Sequence, residues 1–548
     1  MFGSGADFFA AATHDLMSPD NRSFLALVLG SGFVLLVGFW GARRLMRALP
    51  DSYGEASPPT DAERDGVTAA SREAVAAMLQ AENLDATQFE RRLGQAIDML
   101  AKLRTRLADA CPAALALVDA GDFAAARAAL RNGRDPRGVG PDQAKREARL
   151  YTAAAVIDQI KLDYRGAAEN YDVAATLVSQ VGEEEARGQE WRLRIEQARA
   201  LVGDATVKGN ADSIGPALAV YDKALELAPR RAAPHAWAQT QMHRGDALLA
   251  GGLAAAEPRL VEDAVQSYQA ALEEWTRRAT PFEWARAQHN LGEALRRLAD
   301  FDSGVERLQP AADAYRAALS AWTREAAPDL WAMTQGGLGD ALAVIGAHTG
   351  DGDTLREAIA AYQAALGELR REIAPQEWAQ IQNSLGVALE ALAEHEHREG
   401  DYGAKPLKLA VEAFQHALEG RSAETDPAQY AATSVGLGDS LLSLGEHEAE
   451  TNPEYGADLL ARAAEAYRGA LKVRDAITPQ EVARIEINLA YALGLSWTGA
   501  RDDALLDEAL AHVEDAIALL RESGDAEHLA AAEAARRNIL DARRGEAA

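Results

Sequence analysis

Residues 281–301 read PFEWARAQHNLGEALRRLADF, and this stretch decides the fold. It opens on a proline, which the first turn of a helix tolerates because its missing N–H has no partner there. One helix face then follows at intervals of three or four residues: Trp284, Gln288, Leu291 and Leu295. Gly292 lies inside this helix, where glycine costs about 1 kcal/mol against alanine. We therefore expect a second helix to approach closely at Gly292.

The same pattern recurs along the chain in four parallel tracks. The opening prolines are Pro234, Pro281, Pro328, Pro375, Pro427 and Pro479, spaced by 47 residues and then by 52. The residues three positions later are Trp237, Trp284, Trp331, Trp378, Tyr430 and Val482, which we call the repeat aromatic position. Two further tracks are Gly245, Gly292, Gly339, Gly386, Gly438 and Ala490, and Tyr221, Tyr268, Tyr315, Tyr362, Phe414 and Tyr467. Coincident periodicity in four tracks indicates tandem repeats.

Each repeat is predicted to contain two helices. The second helix reads DAVQSYQAALEEW at residues 263–275, and Ala264, Tyr268 and Ala271 lie on one face of it. Neither helix can bury its apolar face alone, so the repeats must stack to form a core.

The motif L-G-x-A-L, paired with A-x-x-x-Y-x-x-A, resembles the tetratricopeptide repeat. In this chain the motif is carried by residues 291–295, 264–271 and 311–318, and by shorter upstream units at 167–174 and 217–224. The long units exceed the 34 residues of the standard repeat, so both of their helices are expected to be extended. The resemblance implies an all-α fold, a right-handed α-solenoid of helix-turn-helix repeats. It says much about fold and little about function.

An uncharged apolar run, FLALVLGSGFVLLVGFWGA, occupies residues 24–42. As a helix it would span roughly 28 Å, close to the thickness of the hydrocarbon layer. A cleaved secretory signal is the alternative, but that needs a basic region before the run, and here three aspartates and one arginine precede it. We therefore predict a retained transmembrane helix.

Arginines cluster after this run, at Arg43, Arg44 and Arg47. Because positive residues stay on the cytoplasmic side, the N-terminus is predicted to lie outside and the repeats in the cytoplasm. The expected location is the inner (plasma) membrane, with a single pass. The reverse orientation, with the repeats on the outer side, stays open.

The predicted organisation has seven segments. They are a short extra-cytoplasmic N-terminus (1–22), a transmembrane helix (23–42), a flexible linker rich in proline, serine and charge (43–66), a helical lead-in (67–112), shorter repeat units (113–230), long repeat units (231–520) and a C-terminal capping helix (521–548). The lead-in carries an apolar stripe at spacings of three or four residues: Phe89, Leu93, Ile97, Leu100, Leu103 and Leu107. This stripe could be a coiled-coil seam, but packing on a neighbouring helix is favoured.

No pattern for catalysis, a metal or a cofactor is found in the sequence. A net charge of -28 repels nucleic acid, and the single cysteine, Cys111, cannot form a disulfide within the chain and is not a metal site by itself. No phosphate-binding loop, GxSxG or HExxH motif occurs. His395 and His397, two residues apart, do not share a helix face. We therefore expect no enzyme activity and no cofactor, and an enzyme with an unrecognised site is the least favoured alternative.

In the family that the chain resembles, the first helix of each pair lines a concave groove. Its outward residues are the binding candidates, and in this chain they are Gln239, Met242, Arg286, His289, Glu293, Gln380, Asn383 and Glu390. The repeating tryptophans could form a ladder for ligand stacking, but core packing is favoured. The leading hypothesis is a membrane-anchored scaffold or adaptor whose partners are other proteins or peptides. A self-assembling structural protein, a homo-oligomer at the membrane, is the rival.

Overall fold

The computed structural model describes residues 59–81, 86–131, 140–182, 184–302, 305–400 and 403–544. Within these ranges every regular element is a helix, so the prediction of an all-α fold is confirmed there. The predicted transmembrane segment lies outside the described residues. Among the helices in those ranges, none combines the length and the apolar character needed to cross a membrane.

The described residues fall into two compact units, which we call the N-terminal unit (59–302) and the C-terminal unit (305–544). The helices of the N-terminal unit are α1 (Asp61–Asp65), α2 (Ala69–Gln80), α3 (Ala86–Ala110), α4 (Pro112–Asp119), α5 (Phe123–Arg131), α6 (Pro141–Ile160), α7 (Tyr164–Ser179), α8 (Glu184–Lys208), α9 (Ile214–Leu227), α10 (Pro234–Ala255), α11 (Pro258–Leu272) and α12 (Pro281–Asp302). A short 3₁₀ turn, Ala211–Ser213, precedes α9.

The helices of the C-terminal unit are α13 (Leu308–Leu319), α14 (Pro328–Thr349), α15 (Gly352–Leu366), α16 (Pro375–Arg398), α17 (Ala404–Glu419), α18 (Pro427–Thr451), α19 (Pro453–Leu471), α20 (Pro479–Ala500), α21 (Asp503–Ser523) and α22 (Ala526–Arg544). Helices consecutive in sequence pack against each other: α10 with α11, α14 with α15, α16 with α17, α18 with α19 and α20 with α21. The predicted two-helix repeat is thus confirmed in the described residues, whose paired helices resemble tetratricopeptide repeats. The handedness of the stack stays a prediction.

The repeated prolines begin the first helix of each long repeat, as predicted. Pro234, Pro328 and Pro375 each lie in the first turn of α10, α14 and α16. Such a proline sets the backbone for a helix without losing a hydrogen bond. At α20 the start is reinforced, because Thr478 and Glu481 form a reciprocal capping box.

The repeated glycines Gly245, Gly339, Gly386 and Gly438 lie where an aromatic ring contacts the first helix of a repeat. A Cβ atom built on Gly245 would lie 2.6 Å from Cε1 of Tyr268, and one on Gly438 would lie 2.6 Å from Cε1 of Tyr467. Both tyrosines are fully buried. The close approach predicted from the glycine track is therefore confirmed at these repeats, and the ring contact offsets the low helix propensity of glycine.

The lead-in differs from its predicted outline. The helix α1 lies inside the predicted linker, because Thr60 and Glu63 form a capping box that the sequence reading overlooked. The lead-in itself holds two helices, α2 and α3. Leu100, Leu103 and Leu107 of α3 are buried in one core cluster with residues of neighbouring helices, so packing, and not a coiled-coil seam, accounts for the stripe.

Candidate binding cleft

The predicted outward residues are less exposed than expected. Met242 is 0% exposed, and Arg286, His289 and Asn383 are also buried. The expectation that these four face outward is wrong. The physical reason is their register: Met242, His289 and Asn383 all lie five residues after the repeat aromatic position, on the face that meets neighbouring helices. Whether any of them contributes to binding stays a prediction.

The other candidates are half-buried: Gln239, Glu293, Gln380 and Glu390. Glu293 is already engaged, since Arg296 donates to it at 2.9 Å and Arg297 at 2.7 Å. Burial opposes ionisation there, but the two arginines outweigh it and hold the pKa of Glu293 well below its usual value. Glu293 is therefore held in ion pairs with Arg296 and Arg297 of its own helix.

A buried polar cluster joins α10, α11 and α12 in the N-terminal unit, and we call it the closed cluster. The Asp246 carboxylate accepts hydrogen bonds from Tyr268 Oη at 3.0 Å, Asn290 Nδ2 at 2.8 Å and Arg286 Nη2 at 3.1 Å. Burial raises the pKa of Asp246, but the adjacent His243 and the Arg286 charge outweigh it and leave the pKa below its ordinary value. The negative charge of Asp246 is thus balanced by the Arg286 guanidinium within the chain.

The C-terminal unit repeats this constellation at the same register, and we call it the open cluster. Asp439 of α18 accepts from Tyr467 Oη of α19 at 2.6 Å and from Asn488 Nδ2 of α20 at 3.1 Å. Arg484 occupies the register of Arg286, two residues after the repeat aromatic position. It does not reach Asp439: among the described residues, Arg484 has no hydrogen bond or ion pair, and its side chain is half-exposed.

A cleft opens at this cluster between α16, α18 and α20. Its lining residues are Asn383, Val387, Glu390, Phe414, Ala428, Ala431, Ala432, Val435, Gly436, Asp439, Ile477, Glu481, Arg484 and Ile485. Its volume is about 50 Å³, well below the roughly 300–1,000 Å³ of a small-molecule or cofactor site. The cleft has room for a side chain of a partner. It includes two of the predicted site residues, Asn383 and Glu390.

The lining of the cleft combines apolar and polar side chains. Small residues of α18 contribute to it, among them Ala431, Ala432 and Gly436. Glu390 of the lining accepts a hydrogen bond from Ser440 Oγ at 2.6 Å, which fixes its carboxylate. Small apolar side chains beside a fixed polar group can take up the apolar surface of a partner and orient its polar end.

A buried arginine supports one wall of the cleft. Arg421 donates to Gln380 Oε1 at 2.7 Å and to Asn383 Oδ1 at 3.3 Å, and it also contacts Thr433. Burial lowers the pKa of Arg421 to about 10. Arg421 lies nine residues before Tyr430, and the buried Trp275 lies nine residues before Trp284, so the two residues share one register. The sequence analysis did not predict a role for Arg421, although aligning the repeats shows an arginine where another repeat has a tryptophan.

Three tryptophans of the repeat aromatic position, Trp237, Trp331 and Trp378, are partly buried and each lies under an arginine. The guanidinium of Arg230 lies 4.9 Å from the ring centroid of Trp237, and that of Arg324 lies 5.9 Å from Trp331. Trp237 also packs on the core of the N-terminal unit. These contacts favour the packing interpretation over a ladder for ligand stacking.

His395 and His397 lie in the last turn of α16. In the ranges that the structure describes, no group of three or more His, Cys, Asp or Glu side chains is arranged to hold a metal ion.

Comparison with known proteins gives only loose likenesses. No protein-family model and no curated protein matches the chain. The crystal structure of the APC/C hetero-tetramer Cut9–Hcn1 aligns with a TM-score of 0.32 and 14% identity, over 87% of this chain and 96% of that one. A signal-transduction ATPase with numerous domains from Pyrococcus horikoshii, which has a tetratricopeptide repeat sensor, aligns with a TM-score of 0.31 and 13% identity, over 98% of this chain and 71% of that one.

A circular tandem repeat protein with a novel repeat topology aligns with a TM-score of 0.18 and 15% identity, over 88% of this chain and 98% of that one. Superpositions as loose as these three say nothing about the partner of this chain.

Proposed function

We propose that this chain is a membrane-anchored scaffold that binds a partner protein through the cleft between α16, α18 and α20. The observation that carries the proposal is the cleft itself, whose lining combines small apolar residues with polar groups and whose volume suits a side chain. Protein interfaces place their strongest contacts in such recesses, where one anchoring side chain is desolvated. Enzyme activity forms no part of the proposal.

Membrane attachment is the second element of the proposal, and the sequence of residues 24–42 supports it. Held there by a single helix, the repeats would gather their partner at the cytoplasmic face. Deleting residues 1–58 should release the chain from membranes, whereas the full chain should resist extraction with alkaline carbonate. Full extraction of the intact chain would contradict the anchor and leave the cleft proposal standing.

The test of the cleft is site-specific photocrosslinking in native membranes. A photoreactive residue replaces Ala432, which lines the cleft, and the matched control replaces Arg462, which is exposed on α19. We expect a defined partner captured at position 432 and not at position 462. Capture of the same species at both positions, or of nothing at position 432, would overturn the proposal. Crosslinks only to second copies of the chain would favour the self-assembling alternative.

A further inference from the structure

We infer that Glu486 of α20 and His512 of α21 form a proton-operated latch, which holds α21 on α20 while His512 is charged and loosens it as the pH rises. The latch lies on the helix that also lines the cleft, so it makes binding at the cleft depend on pH. This second step rests on the proposed function, whereas the latch itself does not.

The latch is the centre of a chain of alternating charges that crosses three helices. His512 Nδ1 donates to Glu486 Oε2, and the side chain of Glu486 is 2% exposed. Arg474, which precedes α20, lies 3.7 Å from the other carboxylate oxygen of Glu486. On its opposite side, His512 Nε2 lies 3.7 Å from Glu508, to which Arg468 of α19 is bound at 2.6 Å. A protonated His512 is thus the cation between two carboxylates.

The long repeats before α20 have neutral side chains at both latch positions. Glu486 lies four residues after the repeat aromatic position, where the earlier long repeats have Gln241, Gln288, Gln335, Gln382 and Ser434. His512 directly precedes Val513, which stands in the register of the repeated tyrosines. The earlier long repeats have small side chains at the position of His512: Ser267, Ala314, Ala361, Ala413 and Ala466. The fold therefore does not need a charged pair at this contact.

The charge of His512 decides whether the latch stabilises the contact. The hydrogen bond with Glu486 raises the pKa of His512, burial opposes it, the charges of Glu486 and Glu508 raise it further, and Arg468 lowers it. A raised pKa in the folded state gives a stabilisation that is complete below about pH 6.5 and is lost as the pH rises through the folded value.

Loss of the proton leaves the Glu486 carboxylate buried without a cation in direct contact. Among the described residues its other ion pair is the one with Arg474, at 3.7 Å. A buried carboxylate that has lost its partner is costly, so the equilibrium shifts towards an open state in which water reaches Glu486. The expected motion is a loosening of α21 from α20.

The other charged groups on the helices around His512 have partners of their own. Arg468 also pairs with Glu465 of its own helix. His528 of α22 pairs with Asp525. Three ion pairs join α22 to α21 without involving His512: Glu533 with Arg521, Arg536 with Glu514, and Arg543 with Asp507. The network around His512 is therefore completed by Glu486, Glu508, Arg468 and Arg474.

The latch acts on a helix that supplies part of the cleft. Glu481, Arg484 and Ile485 of α20 line the cleft, and Glu486 is the next residue of that helix. Successive residues of a helix point about 100° apart around its axis. One segment of α20 thus contacts α21 through Glu486 and lines the cleft through Ile485. A shift of this segment when the latch opens alters the cleft, so the partner should bind best to the latched form.

The test of the latch is hydrogen exchange of the full chain in lipid nanodiscs at two pH values. After correction for the intrinsic exchange rate, the opening equilibrium constant of the α21 amides should rise at least about threefold from about pH 6 to about pH 8. The double variant Glu486→Gln, His512→Ala introduces the pair that Gln335 and Ala361 form in register, and its opening constant should not change with pH. The amides of α14 and α15, which carry Gln335 and Ala361, are the internal control.

A second variant guards against a double variant that fails to fold. His512→Gln keeps a hydrogen-bond donor and removes the charge, so it should also abolish the pH dependence of opening in α21. Circular dichroism verifies that the helices of both variants are intact.

The effect on the cleft is measured by photocrosslinking from position 432 in isolated membranes. We expect more capture at about pH 6 than at about pH 8 in the parent chain, and equal capture at the two pH values in the double variant.

The outcomes separate the latch from the proposed function. A pH-independent opening constant in the parent chain, or an unchanged pH dependence in both variants, would overturn the latch. A pH-dependent opening constant together with equal capture at both pH values would overturn its effect on the cleft. Capture of nothing at either pH would contradict the proposed function and leave the latch standing, because hydrogen exchange needs no partner.

Discussion

The closed and open clusters are built from the same four residue types at the same register, yet one is sealed and the other opens into a cleft. In the closed cluster Arg286 donates to Asp246 and is buried, whereas Arg484 in the open cluster is half-exposed. The surroundings differ in size: Ala432 and Val435 of α18 stand at the positions of Gln239 and Met242 in α10. Repetition of a motif thus specifies the fold, and the side chains around it determine whether the cluster is closed or opens into a cleft.

The largest expected effect separates the two aspartates. Asp246→Ala would leave the Arg286 guanidinium buried without its carboxylate, at a cost of about 3–5 kcal/mol. Asp439→Ala should cost about 1–3 kcal/mol, because it removes the acceptor of two neutral donors, the Tyr467 hydroxyl and the Asn488 amide. The measurement is the free energy of local opening from hydrogen exchange, in α10–α12 for the first variant and in α18–α20 for the second. Equal losses of opening free energy in the two variants would contradict the distinction between the closed and open clusters.

A smaller effect is expected at the glycine that supports the open cluster. Gly438→Ala places a methyl group 2.6 Å from Cε1 of Tyr467, and such overpacking costs about 1–3 kcal/mol. Gly188 of α8 is the matched control, since a Cβ atom there meets nothing within 4 Å. Gly188→Ala should stabilise its helix by up to about 1 kcal/mol. Thermal unfolding of both variants checks the prediction, and a stabilising Gly438→Ala would disprove the tight contact.

The smallest expected effect is a pH dependence of opposite sign in the two units. The hydrogen bond to buried Glu486 raises the pKa of His512 between α20 and α21, against the effect of burial. A raised pKa in the folded state gives stability that is fully present below the unfolded value of about 6.5 and is lost as pH rises through the folded value. Asp246, whose pKa is lowered, instead loses its contribution as pH falls through its folded value.

This pH prediction is measured with His512→Gln. The difference in unfolding temperature between the parent chain and the variant should be widest near about pH 5.5 and vanish near about pH 9. A difference that grows with pH would contradict the role of the Glu486 hydrogen bond.

The sequence predicted the fold where the physics is local and repeated. Helix starts follow from prolines such as Pro375, and the close contact at Gly245 follows from a glycine inside a helix, because both depend on residues a few positions apart. Asp246 and Asp439 each directly follow a repeated glycine, so the sequence also indicated an acidic residue at this position of the repeat. The sequence analysis did not use this pattern.

The candidate site was predicted less well. Helical periodicity shows that Met242 and Asn383 share a register but does not tell which face meets the next repeat, and that face is buried. The role of Arg421 was also missed, because its partners Gln380 and Thr433 lie 41 and 12 residues away in sequence. Contacts of this kind depend on how the repeats stack, and the stacking geometry is not evident from a single sequence.

If the open cleft binds the partner and the closed cluster does not, filling the two sites at the same register should have different effects. The substitutions are Ala432→Phe in α18 and Gln239→Phe in α10, and the affinity of the partner captured through position 432 is measured for each variant. We expect Ala432→Phe to lower the affinity by more than about tenfold, a loss above about 1.4 kcal/mol, and Gln239→Phe to leave it unchanged. Equal affinities for both variants, or a loss confined to Gln239→Phe, would contradict it.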